Sequence, residues 1–358
     1  MSVADSPAAA VSRSDAEAHA GGVGVPAITL AKLTHRYPAR RKQPARLALD
    51  GVSFTVPGGE IFGLLGPNGS GKSTLLRILT TLLPPNPGEN RPPPATDAAR
   101  VFGHSVVQDP AAVRREIGVV FQSPSIDGQL TCRENLACHA RLCGLRRVGL
   151  RQRIDDELDR AGLADRANEL AGKLSGGLKR RLEIAKAVLP GPRLVLMDEA
   201  DTGLDVASRR RLWEQIGALR DRGVTVVVAT HLMDHAEACE RAAVLHEGRL
   251  LACESPEALR NRVAGQVVTL RLDLDAASDA DTHAALKQAS QRLAQRLGTF
   301  PEGGEPRVVE DVIRFEHADA ASLIPQLPEA LDRPIASLKL GRPTLEDAFV
   351  HLTGERPE

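Results

Sequence analysis

The sequence predicts an α/β protein, and three observations carry that expectation. A short apolar run, EIFGLL, leads into GPNGSGKST (66–74) and then into TLLRILTTLL, which reads as buried strand, glycine-rich turn and helix. A second apolar run, RLVLMDE (193–199), ends in two carboxylates. Around these, strand-like and helix-like segments alternate until about residue 260, where the character changes.

The turn comes first. Gly66, Pro67, Asn68, Gly69, Ser70, Gly71, Lys72, Ser73 and Thr74 fit G-x-x-x-x-G-K-[ST] between a strand and a helix, the context this pattern needs. Glycines clear side chains from the bend, so that backbone N–H groups can face one anion. The following helix adds its positive end. A nucleotide phosphate is the expected ligand, with Lys72 reaching the β- and γ-phosphates and Ser73 ligating Mg²⁺.

Composition bounds the rest. The chain has 358 residues, enough for two domains, with 46 basic and 46 acidic side chains, so charge offers no argument for a nucleic-acid or anionic-membrane partner. No apolar run approaches the ~20 residues that span a bilayer. Residues 1–27 have scattered acids and no solid apolar core, and read as a disordered tail rather than a signal peptide. The five cysteines contain no CxxC pair, and Cys132, Cys138, Cys143 and His139 fit no common zinc spacing; reduced thiols are expected.

Residues 28–36 and 51–56 read as strands ahead of the phosphate loop. The Pro-rich segment 84–99 excludes a helix or a central strand and reads as an exposed insertion. Beyond residue 260, VVTLRLDL (267–274) reads as a strand, and Leu286, Leu293 and Leu297 mark a helix. RVVEDVIRFE (307–316) reads as one strand, 318–331 as a helix and IASLKL as a strand, giving a small β-α-β-α-β unit over 265–354.

Further residues carry chemistry. In a parallel sheet the 193–199 strand delivers its end beside the phosphate loop; there Asp198 would hold Mg²⁺ and Glu199 would act as general base. Leu174, Ser175, Gly176 and Gly177 (LSGG) precede a basic amphipathic helix and form a second anion-binding helix start, or a simple cap. Gln122 follows the apolar IGVVF and is placed to touch Mg²⁺ and water. His231 follows VTVVVAT and is placed to bond a γ-phosphate oxygen. Tyr37 offers a ring to stack on adenine. HLMDH lacks the glutamate of a zinc-protease motif, which argues against a metal at His231 and His235.

Together these residues resemble the ATP-binding subunit of ABC transporters. Tyr37, GPNGSGKST, Gln122 in VVFQS, LSGG, LVLMDE, TGLD with Asp205, and His231 in ATHLMD stand in that family's order over about 28–260. The resemblance implies a P-loop NTPase fold of ABC type: a mixed sheet core, an antiparallel β subdomain, a helical signature subdomain and a small C-terminal α+β domain. It also implies two cassettes paired head to tail, with each ATP between one chain's phosphate loop and the other's LSGG. The second cassette is expected to be another copy, and a separate permease to carry the membrane path. The chain would then sit in the cytoplasm, peripheral on the inner membrane face. VFGHSVVQDPAAVRREIGVVFQS, LKRRLEIAKAVL and PTLEDAFVHLTG (343–354) look like the type-2 exporter ATPases.

Ala200-Asp201 depart from the family's usual Pro-Thr after the glutamate. An extra carboxylate there is expected to raise the pKa of Glu199 or shift its loop. Two rival readings differ in class. A soluble ABC ATPase acting on ribosomes or nucleic acid would carry two cassettes, long insertions or basic arms, none of which is visible. A catalytically impaired regulator would have only Ala200-Asp201 in its favour.

Overall fold

The structure is a computed structural model. It describes residues 24–354 apart from 40–43, 87–97, 124, 146–147, 264, 274–278, 298–299, 302–303, 310 and 332. In chain order, β1 (Ile28–Tyr37), β2 (Arg46–Val56) and β3 (Ile61–Leu65) lead to α1 (Lys72–Leu79). Then come β4 (Ala99–Val101), β5 (His104–Ser105), α2 (Pro110–Glu116) and β6 (Ile117–Val120). Three helices follow: α3 (Cys132–Leu142), α4 (Leu150–Arg160) and α5 (Gly176–Val188). Next are β7 (Leu194–Asp198), α6 (Val206–Asp221), β8 (Thr225–Thr230), α7 (Met233–Glu237), β9 (Arg241–His246), β10 (Arg249–Glu254) and α8 (Pro256–Arg260).

The central sheet runs β10-β9-β3-β8-β7-β6. All its pairs are parallel except β9–β10. Its middle strands are continuous apolar runs because both faces are covered: every residue of β8, TVVVAT, is buried. On one face α1 fills the space beneath a second, antiparallel sheet, β2-β1-β4-β5, where Leu75, Ile78 and Leu79 meet Leu33 and Val52. On the other face Ile184 and Val188 of α5 and Leu212 and Ile216 of α6 pack on Val195, Met197 and Val228. Helices α3, α4 and α5 share a core of their own around Leu136, Ile154, Leu158 and Leu182. The fold is therefore α/β, with a mixed sheet and antiparallel sheets.

A third sheet, β12-β13-β11-β14, is antiparallel throughout. It contains β11 (Gln266–Leu272), β12 (Arg307–Val309), β13 (Val312–His317) and β14 (Ile335–Gly341). Between β11 and β12 lies α9 (Asp279–Arg296), which presents Leu286 and Leu293 to this sheet. Two expectations are corrected here. Residues 307–316 are not one strand but two paired antiparallel, with Val309 opposite Val312. Residues 318–331 are not one helix: α10 (Ala320–Leu323), a 3-10 turn (Ile324–Gln326) and α11 (Leu327–Ala330) replace it. Pro325 and Pro328 each sit in a first turn and supply no N–H to a continuing helix.

The chain then returns. α12 (Leu345–Thr353) opens on a capping box of Thr344 and Asp347 and inserts Leu345, Ala348 and Phe349 against Leu65, Ala236, Val244 and Leu259. Its polar side is tied to β13 by an Arg314–Asp347 ion pair and by His351 Nδ1, 3.2 Å from Glu316 Oε1.

The tail expected over 1–27 falls mostly outside the described residues; Ala27, at its end, is fully buried. Residues 87–97 of the Pro-rich segment also lie outside them. Its two ends are not loop: Asn86 bridges His35, and Ala99 opens β4. The second strand also starts earlier than expected, at Arg46, because LALD continues the alternation that pairs with β1.

Candidate functional site

Strand register assembles the site. Leu65, the last residue of β3, lies opposite Thr230 of β8, and Asp198 of β7 lies opposite Ala229. Val120 of β6 lies opposite Met197. Because these strands are parallel, the segments beginning at Gly66, Glu199, His231 and Phe121 all leave the same edge of the sheet. That edge is where open α/β sheets bind ligands.

The loop after β3 needs its glycines. A Cβ on Gly71, at φ 109°, would stand 2.5 Å from the Ala48 carbonyl oxygen. One on Gly66 would stand 2.2 Å from that of Leu245. The ammonium of Lys72, first residue of α1, is buried and donates to the carbonyls of Gly66 (2.6 Å) and Pro67 (3.0 Å). Burial lowers its pKa, while the nearby Glu199 and Asp198 carboxylates raise it. Ser70 is buried beneath the bend and Asn68 and Gly69 are exposed above it. The first amides of α1 have no acceptor within the helix and face the bend, an anion-binding geometry. The Tyr37 hydroxyl lies 3.3 Å from Thr74 Oγ1, and its ring meets His35 edge-on.

Ser73 Oγ donates to Asp198 Oδ1 at 3.3 Å. Burial raises the Asp198 pKa, the Ser73 hydrogen bond lowers it and Glu199 raises it. A cleft lined by Arg77, Phe121, Gln122 and Asp198 opens alongside. A hydroxyl, a half-buried carboxylate and an amide together are the oxygen donors that Mg²⁺ prefers, so these residues fit that ion.

Glu199 sits one residue past β7 with φ 46°, a left-handed conformation unusual for a side-chain-bearing residue. Both carboxylate oxygens have neighbours. The Gln122 amide donates to Oε2 at 3.0 Å, and Nδ1 of His231 lies 3.3 Å from Oε1. The carboxylate is thus aimed, not free to rotate. The extra carboxylate of Asp201 does not join it: Asp201 is turned to His235 (3.4 Å) and Arg209 (3.7 Å).

Ser175 is the N-cap of α5, accepting from Leu178 N–H at 3.4 Å, with Leu174 buried before it. Gly176 opens the helix, and a Cβ on Gly177 would strike Ser208. Asp205 caps α6, accepting from the Ser208 N–H and hydroxyl, which holds its pKa below the usual range. Among the described residues, no hydrogen bond or ion pair joins either segment to the phosphate loop.

Sequence reading missed several groups. Arg46, opposite Tyr37 across β1–β2, donates to the Gly69 carbonyl of the phosphate loop. Arg180 and Glu183 of α5 form a buried pair, 2.8 Å apart, that grips the loop after β6. Arg180 donates to the carbonyls of Phe121 (2.7 Å) and Gln122 (3.0 Å), and Glu183 accepts from Ser125 N–H (2.6 Å). Their i, i+3 spacing on an amphipathic helix was the available signal.

Similarity to known proteins gives the family. The ABC transporter family profile matches residues 49–202. The daunorubicin/doxorubicin resistance ATP-binding protein of Streptomyces peucetius is 37% identical over 309 residues, covering 86% of this chain and 88% of that protein. The Nod factor export ATP-binding protein I of a Rhizobium strain is 36% identical, covering 87% and 94%. The solved dimeric structure of an ATP-binding cassette in a post-hydrolysis state, bound to ADP and Pi, is 29% identical with TM-score 0.55, covering 64% of this chain and 98% of that one. The chain belongs to the ABC transporter family, as an ATP-binding and ATP-hydrolysing subunit. Among the described residues no helix is long and apolar enough to cross a membrane.

Proposed function

We propose that this subunit powers a multisubunit ABC exporter. In this reading ATP draws two copies of the chain together, and hydrolysis releases them against a separate permease. The observation that carries it is the convergence of Lys72, Asp198, Glu199, Gln122 and His231 at one sheet edge, with Glu199 held at both oxygens.

ATP phosphates lie along Gly66–Thr74, and Lys72 leaves the Gly66 and Pro67 carbonyls for the β- and γ-phosphates. Adenine stacks on Tyr37. Ser73, Asp198 and Gln122 would hold Mg²⁺, which neutralises phosphate charge when bound. Glu199 takes the proton of the attacking water as general base; Gln122 and His231 fix its direction, and His231 also reports the γ-phosphate. Leu174–Gly177 of the opposite copy closes over the ATP, and Asp205 lies at the junction. Ser175 and Asp205 capping their helices away from the chain's own loop favours this use in trans.

In this reading residues 28–260 form the ATP-binding domain and 265–354 an attached α+β domain. The chain sits on the inner face of the cell membrane through its permease, and no nucleic acid takes part. The names of the relatives, drug resistance and Nod factor export, support an export direction. Purification of the tagged chain from its native membranes in mild detergent tests the assignment. A stoichiometric polytopic membrane protein is the expected partner; ribosomal or DNA-associated partners in its place would overturn it.

A further inference from the structure

The strained backbone of Glu199 needs an anchor, because a left-handed residue with a side chain persists only where its surroundings over-determine it. The turn that follows supplies one. Thr202 N–H donates to the Glu199 carbonyl (3.2 Å) and Leu204 N–H to the Asp201 carbonyl (3.0 Å), so the backbone folds back around Asp201. The Asp201 side chain points into the protein, 8% exposed, where His235 Nε2 lies 3.4 Å from Oδ2.

His235 belongs to the other half of the site. It stands on α7, four residues after His231, and is 3% exposed. Its Nδ1 lies 3.1 Å from Thr230 Oγ1, and that hydroxyl already accepts from Leu232 N–H at 3.0 Å. In the tautomer in which the hydroxyl donates to Nδ1, the ring proton is on Nε2, which faces Asp201 at 3.4 Å, longer than a good hydrogen bond. Trp213 of α6 lies against the ring, centroids 5.2 Å apart, and Arg209 of α6 stands 3.7 Å from the same Asp201 oxygen. The titratable and charged groups around the imidazole are Asp201, Arg209, Asp234 and His231; burial lowers its pKa.

A carboxylate and an imidazole placed in this interior cost desolvation that apolar side chains would not. Their contact spans two chain segments. One segment carries Glu199 and Asp205 at its ends, and the other carries His231.

We propose that Asp201 and His235 are positioning residues: their contact ties the turn after Glu199 to the segment that carries His231, and so sets the general base and its histidine neighbour in one geometry. Neither side chain touches the nucleotide. The proposal rests on the reading of Glu199 as general base.

The test uses the full chain with Mg-ATP and three readouts: single-turnover ATP cleavage, ATP affinity by titration, and thermal unfolding. Emission of Trp213, the only tryptophan in the sequence, reports whether the ring contact survives. Asp201→Ala and His235→Ala are each expected to slow cleavage about 10- to 100-fold, as a displaced catalytic group does, with ATP affinity within about twofold. The double variant is expected to be no slower than either single one, since both remove the same contact. His235→Gln, whose amide N–H replaces Nε2–H, recovers most of the rate. Where an alanine variant does not fold, Asp201→Leu, of similar volume and without an acceptor, is expected to be slowed in the same way, and wild-type cleavage in it overturns the proposal. Wild-type cleavage in a folded Asp201→Ala protein overturns the proposal. So does a fall in rate that follows ATP affinity and unfolding temperature together and is not rescued by His235→Gln. Glu199→Gln separates the two levels: if it cleaves at the wild-type rate, the reading of the base fails; if it is inactive while Asp201→Ala is fully active, only the tether fails.

Discussion

Gln122 reaches across 77 positions of sequence to donate its amide hydrogen to Glu199 at 3.0 Å. The bond exists because β6 and β7 are parallel neighbours that end together, with Val120 opposite Met197. Gln122→Ala removes one of the two groups that aim the carboxylate. Single-turnover ATP cleavage is expected to fall about tenfold or more while ATP affinity stays near wild type, since the phosphate loop is untouched. Unchanged cleavage, measured by rapid quench, would argue against an orienting role.

Lys72 is the buried cation of the loop, and its two present acceptors are main-chain carbonyls. Lys72→Ala should therefore leave the fold nearly intact and abolish nucleotide binding. At ATP a hundredfold above Kd, binding stabilises a protein by about 2.7 kcal/mol. That ATP-dependent rise in Tm should vanish in the variant, as differential scanning fluorimetry would read directly.

Arg180 and Glu183 are 5% and 2% exposed in their side chains and grip the loop that carries Gln122. Arg180→Ala leaves the Glu183 carboxylate buried without its cation, a change that costs about 3–5 kcal/mol. Arg180→Ala/Glu183→Ala should cost less than the sum of the single variants. Denaturant midpoints for the four proteins complete the cycle, and strict additivity would mean that the pair is not coupled.

Glu60 lies outside the site and gives a pH signature. Burial raises its pKa to about 7, against the lowering effect of Arg241. A carboxyl whose folded pKa exceeds its unfolded value contributes stability that is fully present below the unfolded pKa and is lost as pH rises through the folded one. The loss should fall between about pH 4.5 and 7. Glu60→Gln is expected to raise Tm by a few degrees at pH 8 and to leave it nearly unchanged near pH 4. A constant difference across that range would exclude the shift.

Much of the site was legible because its chemistry is local. Gly66–Thr74 form one bend between a strand and a helix, and no distant residue is needed to read the pattern. Asp198 and Glu199 at the end of an apolar run, and His231 at the end of another, follow from the same logic. The C-terminal region was read less well. Val309 and Val312 face each other within what looked like one strand, and two prolines broke what looked like one helix. A short polar interruption reads the same in a continuous strand as in a tight turn until a partner strand selects one.

The sequence by itself determined the strand–loop–helix that can hold phosphate and the residue types that can cleave it, because both depend on neighbours within a few positions. Only the tertiary structure decided where those side chains point. Parallel register brought Gln122, Glu199 and His231 to one edge. Asp201, which the sequence suggested would act on Glu199, turned inward to His235 and Arg209. A carboxylate pairs with whatever donors the packed interior brings within a few ångströms, and those donors came from a helix start 34 residues on and from α6.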